Sequence, residues 1–156
     1  MCGIAGIITK NGEPDREVLR DMCNRLAPRG PDAEGYYINQ NIGFGHRRLS
    51  IIDLQTGDQP MSSTDGSIVA IFNGEIYNFR DLKEELILKG MEFHTTSDTE
   101  VLINGYLSYG IDEILTRMEG MFAFALHDKT RQKLYIARDK FGEKPLYYSE
   151  NDKSFW

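Results

Sequence analysis

The longest unbroken apolar run in the chain is Met-Phe-Ala-Phe-Ala-Leu, residues 121–126. It falls far short of the ~20 residues a helix needs to cross a bilayer, and it has the length of a buried strand. The polar stretch Asp128-Lys129-Thr130-Arg131 follows, then a second strand-like segment at 133–138, so the run predicts one arm of a hairpin at the heart of a sheet. Apolar residues at helical spacing supply the cover such a sheet needs. Val18, Leu19, Met22 and Leu26 recur on one face of a predicted helix 14–27, which places Cys23 in the core. Phe79, Leu82 and Leu86 share a face of a helix expected to start at an Asn78 cap and stop at Gly90. Ser97-Asp98-Thr99-Glu100 has the capping-box form and opens another, carrying Val101, Leu102 and Tyr106 as far as Gly110, with a short helix at 111–118 after it.

Further strands are expected at 3–9, 35–38, 42–47, 50–53, 68–72 and 145–149, and a surface loop at 53–65. Strand clusters interleaved with long helices predict an α+β architecture in which sheets are sandwiched between helices. A chain of 156 residues buries roughly 70% of its unfolded surface, enough for a core without disulfide or metal staples. The termination on Trp156, with no polar tail, suggests a single domain over residues 2–156 cut from a longer polypeptide.

Charge narrows the function classes. Against 24 Asp+Glu stand 18 Lys+Arg, a formal net charge of −6, and the basic residues are dispersed, so neither nucleic acid nor an anionic membrane surface is expected as a partner. The N-terminus has neither a basic leader nor an apolar stretch, which predicts a cytoplasmic protein. Cys2 and Cys23 form no C-x-x-C pair, and His46, His94 and His127 lie on separate segments without ligand spacing; no metal is expected.

Four features could carry chemistry. Cys2 becomes a nucleophile with a built-in base once Met1 is removed, because its own α-amine, with a reference pKa of ~7.7 to 8.0, lies within reach of its sulfur. Asn73-Gly74 is a strong hairpin-turn signal; if it faces a cleft instead, the Asn amide and the Gly N–H are two donors for a developing oxyanion. Arg48 is either a solvated edge-strand side chain or a fork for a carboxylate. Asp98 is either a helix-start cap or a partner for an ammonium group.

Taken in order, Cys2-Gly3-Ile4-Ala5-Gly6, Arg29-Gly30-Pro31-Asp32, His46-Arg47-Arg48-Leu49-Ser50-Ile51, Asn73-Gly74-Glu75-Ile76-Tyr77-Asn78, Ser97-Asp98-Thr99-Glu100 and the string from Ala137 to Leu146 resemble the class II glutamine amidotransferases, most closely the glutaminase domain of glutamine-hydrolysing asparagine synthetases. The resemblance implies a four-layer αββα sandwich of the N-terminal nucleophile hydrolase type. It implies Cys2 as nucleophile, Asn73 and Gly74 as oxyanion hole, Arg48 on the glutamine α-carboxylate, and Glu75 and Asp98 on the α-ammonium. The backbone from Leu49 through Ser50 and Ile51 to Ile52 would line the pocket. Pro28 departs from the family, which commonly has His there. The implied partners are L-glutamine and a C-terminal synthetase domain, with association into a homodimer compatible. No cofactor is implied for this domain, ATP and magnesium belonging to the synthetase domain. Two other readings remain open: the same glutaminase serving an amino-sugar or surface-saccharide acceptor, and a noncatalytic docking module.

Overall fold

Residues that alternate between two apolar environments build the centre of the molecule, seen in a computed structural model that describes residues 1–51, 53 and 56–156. β1 (Gly3–Thr9), β2 (Ala33–Asn39), β3 (Ile42–Arg48) and β8 (Ser154–Phe155) form one antiparallel sheet in the order β2-β3-β1-β8. β4 (Met61–Ser62), β5 (Ile68–Ile76), β6 (Gly120–Asp128) and β7 (Lys133–Arg138) form the second, in the order β4-β5-β6-β7. Ile42, Phe44, Val69, Ile71 and Ala125 fill the space between the sheets. The outer face of the first sheet buries Ala5 and Ile7 against Leu19 and Cys23 of α1 (Arg16–Leu26). The outer face of the second presents Phe72, Ile76, Phe122 and Phe124 to α2 (Phe79–Leu88), α3 (Asp98–Tyr109) and α4 (Ile111–Arg117). The four layers are thus helix, sheet, sheet, helices, the αββα arrangement expected.

Both arms of the 121–138 hairpin are in place, paired from Ala123↔Arg138 to Asp128↔Lys133. Cys23 is fully buried, and burial pushes its thiol up to about 11. Five local expectations fail. Asn73-Gly74 is no turn: β5 runs straight through it to Ile76, with Asn73 opposite Ala123 and Gly74 opposite Phe122. Pairing along a long neighbouring strand overrides the local signal. Of 50–53, the described residues are not strand, and Ser50 N–H is taken by Asp32 Oδ2 at 2.8 Å. The segment 145–149 is likewise irregular. Asn78 holds the N-cap position of α2 as expected but makes no side-chain cap; its side chain bridges Arg117 O and Glu119 N–H instead. Ser97 does cap α3 through Thr99 N–H, but Glu100 closes no box, because its carboxylate turns out to the N–H groups of His94 and Thr95. No helix among the described residues is long and apolar enough to cross a membrane, and no group of three His, Cys, Asp or Glu side chains there could hold a metal ion.

Candidate active site

The edge of β5 creates the site. Along an antiparallel strand, successive residues direct their N–H and C=O groups to alternate sides. Phe72 N–H is accepted by the Gln59 side-chain Oε1 at 2.6 Å, and Ile76 N–H by Asp98 Oδ2 at 3.0 Å, so both point away from β6. Gly74 lies midway between them and turns its N–H to that same open edge. Its partner strand crowds it from the other direction: a Cβ on Gly74 would come within 2.2 Å of Met121 O and 2.6 Å of Phe122 Cα, so the position tolerates only glycine.

A cavity of about 100 Å³ opens onto this edge. Cys2, Asn73, Gly74, Arg48, Glu75 and Asp98 all line it, although they come from the N-terminus, two strands and the start of a helix. Leu49 and Ile51 line it as well. Ser50 does not, its N–H being spent on Asp32, and Ile52 lies outside the described residues.

Pairing of β1 with β3, Gly3 opposite Arg47, carries Cys2 to the end of the ladder beside Leu49. There Leu49 N–H donates to Cys2 Sγ at 3.4 Å, and the thiol faces Leu49 O at 3.7 Å. Arg29 Nε holds the Cys2 carbonyl at 3.3 Å. Met1 also lines the cavity.

Arg48 is buried on an interior strand, 6% exposed, which removes the solvated edge-strand reading. Its Nη1 donates to Asp58 Oδ1 at 2.7 Å and its Nη2 to the carbonyl of Asp53. Asn73 is equally buried; its Oδ1 has no hydrogen-bond partner among the described residues. Asp98 stands in the first turn of α3, where Ser97 makes the cap, and its carboxylate lines the cavity and accepts from the Ile76 N–H of β5. Burial, reinforced by the charge of Glu75, raises its pKa to about 6 against the pull of the Ile76 N–H. His46 stands behind this wall with Nε2 3.3 Å from Phe72 O and Nδ1 without a hydrogen-bond partner among the described residues. Burial lowers it to about 4, which keeps it neutral.

Gln59, Met121 and Lys144 line the cavity without standing among the site residues expected from the sequence. Gln59 straps Phe72 to Thr99, accepting from Phe72 N–H and donating from Nε2 to Thr99 Oγ1 at 3.2 Å; it sits in the expected surface loop 53–65 and carries no signal of its own. Lys144 and Met121 meet at the cavity with Nζ 2.9 Å from Sδ. Lys144 stands in the string from Ala137 to Leu146, and its burial was the missing clue.

A thiol, a backbone N–H and a carboxamide around one small cavity are groups suited to amide hydrolysis, and the glutamine amidotransferase domain family matches this chain over residues 1–156. The chain belongs to that family. As a class II glutamine amidotransferase domain it is 45% identical over its whole length to asparagine synthetase [glutamine-hydrolyzing] 1 of Bacillus subtilis. It is also 40% identical, over 96% of its length, to an amidase of Gibberella zeae. It spans 25% and 24% of those relatives. Among solved structures, glutamine phosphoribosylpyrophosphate amidotransferase of Bacillus subtilis, complexed with ADP and GMP, superposes with a TM-score of 0.79 at 22% identity, over 99% of this chain and 41% of that one. That likeness shows a shared amidotransferase fold.

Proposed function

We propose that this domain hydrolyses the side-chain amide of L-glutamine to glutamate and ammonia through a γ-glutamyl thioester on Cys2, and that in the full-length protein the ammonia feeds asparagine synthesis. The observation that carries the reading is the convergence of Cys2, the Gly74 N–H edge and the Asn73 amide on one cavity. Removal of Met1 frees the α-amine of Cys2 and empties the space Met1 fills. The amine takes the thiol proton, and the sulfur attacks the amide carbon. Gly74 N–H and Asn73 Nδ2 receive the negative charge that develops on the carbonyl oxygen. The same amine returns its proton to the departing ammonia, and water then cleaves the thioester.

Arg48 is the cation for the α-carboxylate, held by Asp58 and the Asp53 carbonyl in a fixed fork. Asp98 and Glu75 are the anions for the α-ammonium. Fixing the amino-acid end lets only a side chain of glutamine's length present its carbonyl to the sulfur. The half-reaction uses this chain's own groups, while ATP and magnesium serve the synthetase portion. Support for asparagine as the destination comes from the relatives named asparagine synthetase; the Gibberella zeae amidase is the observation favouring a second reading, the same glutaminase serving another acceptor.

The test uses chains beginning at Cys2, confirmed by mass and supplied with glutamine alone. Wild type should release ammonia, Cys2→Ala should lose ~10⁴-fold or more of that activity with its melting temperature unchanged, and a short uncleaved N-terminal tag should silence the wild type in the same way. Turnover by Cys2→Ala would sink the mechanism, and turnover by the tagged chain would sink the α-amine as base.

A further inference from the structure

Residues directly opposite in an antiparallel pair point to the same face of the sheet. Asn73 opposes Ala123 and Glu75 opposes Met121, while Phe72, Ile76, Phe122 and Phe124 belong to the core under the helices. Asn73, Glu75 and Met121 therefore share the cavity face, with Asn73 and Met121 diagonal neighbours across the two strands. On this face two groups lack proper partners. Asn73 Oδ1 is a buried acceptor with no donor among the described residues. Lys144 is 4% exposed, its ammonium forms no ion pair among the described residues, and its polar partner is the thioether of Met121, a weak acceptor. A buried ammonium so placed is poised to change partner, because every alternative acceptor improves its position.

The other strong donors lining the cavity are engaged. Arg48 is bound to Asp58 and Asp53, and the Gln59 amide is given to Thr99. The root of Lys144 is fixed close by. Its N–H and that of Phe122 both donate to Asp139 Oδ2, at 3.0 and 3.2 Å, so the lysine stem starts from a point tied to β6 one residue from Met121. Two further N–H groups, of Phe141 and Glu143, donate to Asp139 Oδ1. Burial opposes ionisation of Asp139, yet these donors hold its carboxyl below the usual range, and the loop stays clamped as an anion-centred knot.

We propose that Lys144 is a positioning residue for the Asn73 amide, its ammonium passing from Met121 Sδ to Asn73 Oδ1 when glutamine fills the cavity. An amide can present either its oxygen or its nitrogen to the reacting carbonyl, and only the nitrogen stabilises an oxyanion. An ammonium donates and never accepts, so on one side of the amide it tolerates only Oδ1, which leaves Nδ2 for the oxyanion. The proposal rests on the glutaminase reading and assigns to Lys144 no contact with the substrate.

A double-mutant cycle tests it, with Asn73→Ala, Lys144→Met, the pair together, and Lys144→Arg as the variant that keeps a cationic donor. All are made with free Cys2 and compared by ammonia release and melting temperature. Lys144→Met should lower kcat ~10-fold with KM within about twofold of wild type, whereas the same change in the Asn73→Ala background should cost less than about twofold, because the group it orients is gone. Lys144→Arg should stay within ~3-fold of wild type. Equal losses in both backgrounds would overturn the proposal, and so would a rise in KM with kcat held, which would place the ammonium on the substrate carboxylate. A wild type unable to hydrolyse glutamine would instead fell the glutaminase reading and the proposal together.

Discussion

The two walls of the cavity are made in different ways. One is sheet: Asn73, Gly74 and the N–H of Ile76 stand on β5, fixed by nine register pairs with β6. The other joins a strand end to a loop: Arg48, the last residue of β3, is steered by Asp58, whose side chain is 77% exposed, and by the carbonyl of Asp53. Asp53 is anchored in turn by the N–H groups of Thr56 and Thr96. Burial works against that carboxylate, but its donors, those of Thr56 foremost, hold it well below the ordinary range. The wall assigned to chemistry is rigid backbone, and the wall assigned to recognition is a chain of side-chain contacts that can be tuned singly. Substitutions in the first should strike kcat, and substitutions in the second should strike KM.

The largest effect that would break this division is at Asn73. Asn73→Ala should lower kcat by ~10²- to 10³-fold while KM moves little. A drop in melting temperature with kcat intact would show that Asn73 serves only the strand. Asp98 comes next because it touches both walls. It must be ionised to hold an ammonium, and its pKa of about 6 means that KM should climb as pH falls through 6, approaching tenfold per pH unit below it. In Asp98→Asn the KM should be high and flat across the same range, as initial rates from about pH 5 to 8 would show. Because burial favours the protonated form, folded-state stability from this group declines as pH rises from the ordinary carboxylate range to 6. The Asn variant should therefore melt higher than wild type at pH 7 and equally at pH 4. The smallest effect sharpens the comparison from the loop side. Asp58→Asn removes an exposed partner from a buried Arg48, so KM should rise by no more than about fivefold with kcat unchanged. A kcat effect there would mean that the recognition wall also sets the chemistry.

The layers were legible in the sequence because periodicity reports burial: the hairpin at 121–138 and the buried Leu19 and Cys23 of α1 and Leu82 and Leu86 of α2 follow from their spacing, although Val18 on α1 is exposed. The site was legible differently. Cys2, Arg48 and Asp98 each had a plain local reading, and only their order along the chain singled them out. Asn73-Gly74 was misread locally, because a turn signal says nothing of a strand 47 residues downstream whose register holds the pair extended. Gln59 left no trace, and Lys144 stood out only as a member of the string from Ala137 to Leu146, since what makes them matter is burial and the pairing of neighbours, which a single sequence does not display.

One feature of the second sheet reaches beyond catalysis. β4 pairs with β5 only at Met61↔Ala70 and Ser62↔Val69; continued backwards, the same register would set residue 59 opposite Phe72 and residue 57 opposite Gly74. A ladder that long would zip shut the Gly74 N–H proposed to receive the oxyanion. Instead the strand stops, and the Gln59 side chain substitutes for its backbone at Phe72. Such an open edge invites another chain to add a strand. Here side chains cover the donors at Phe72 and Ile76, so the row is reduced to a single accessible N–H, enough to meet one oxygen atom and too little to template a neighbour. The shortness of β4 thus reconciles an exposed donor with resistance to edge-to-edge aggregation.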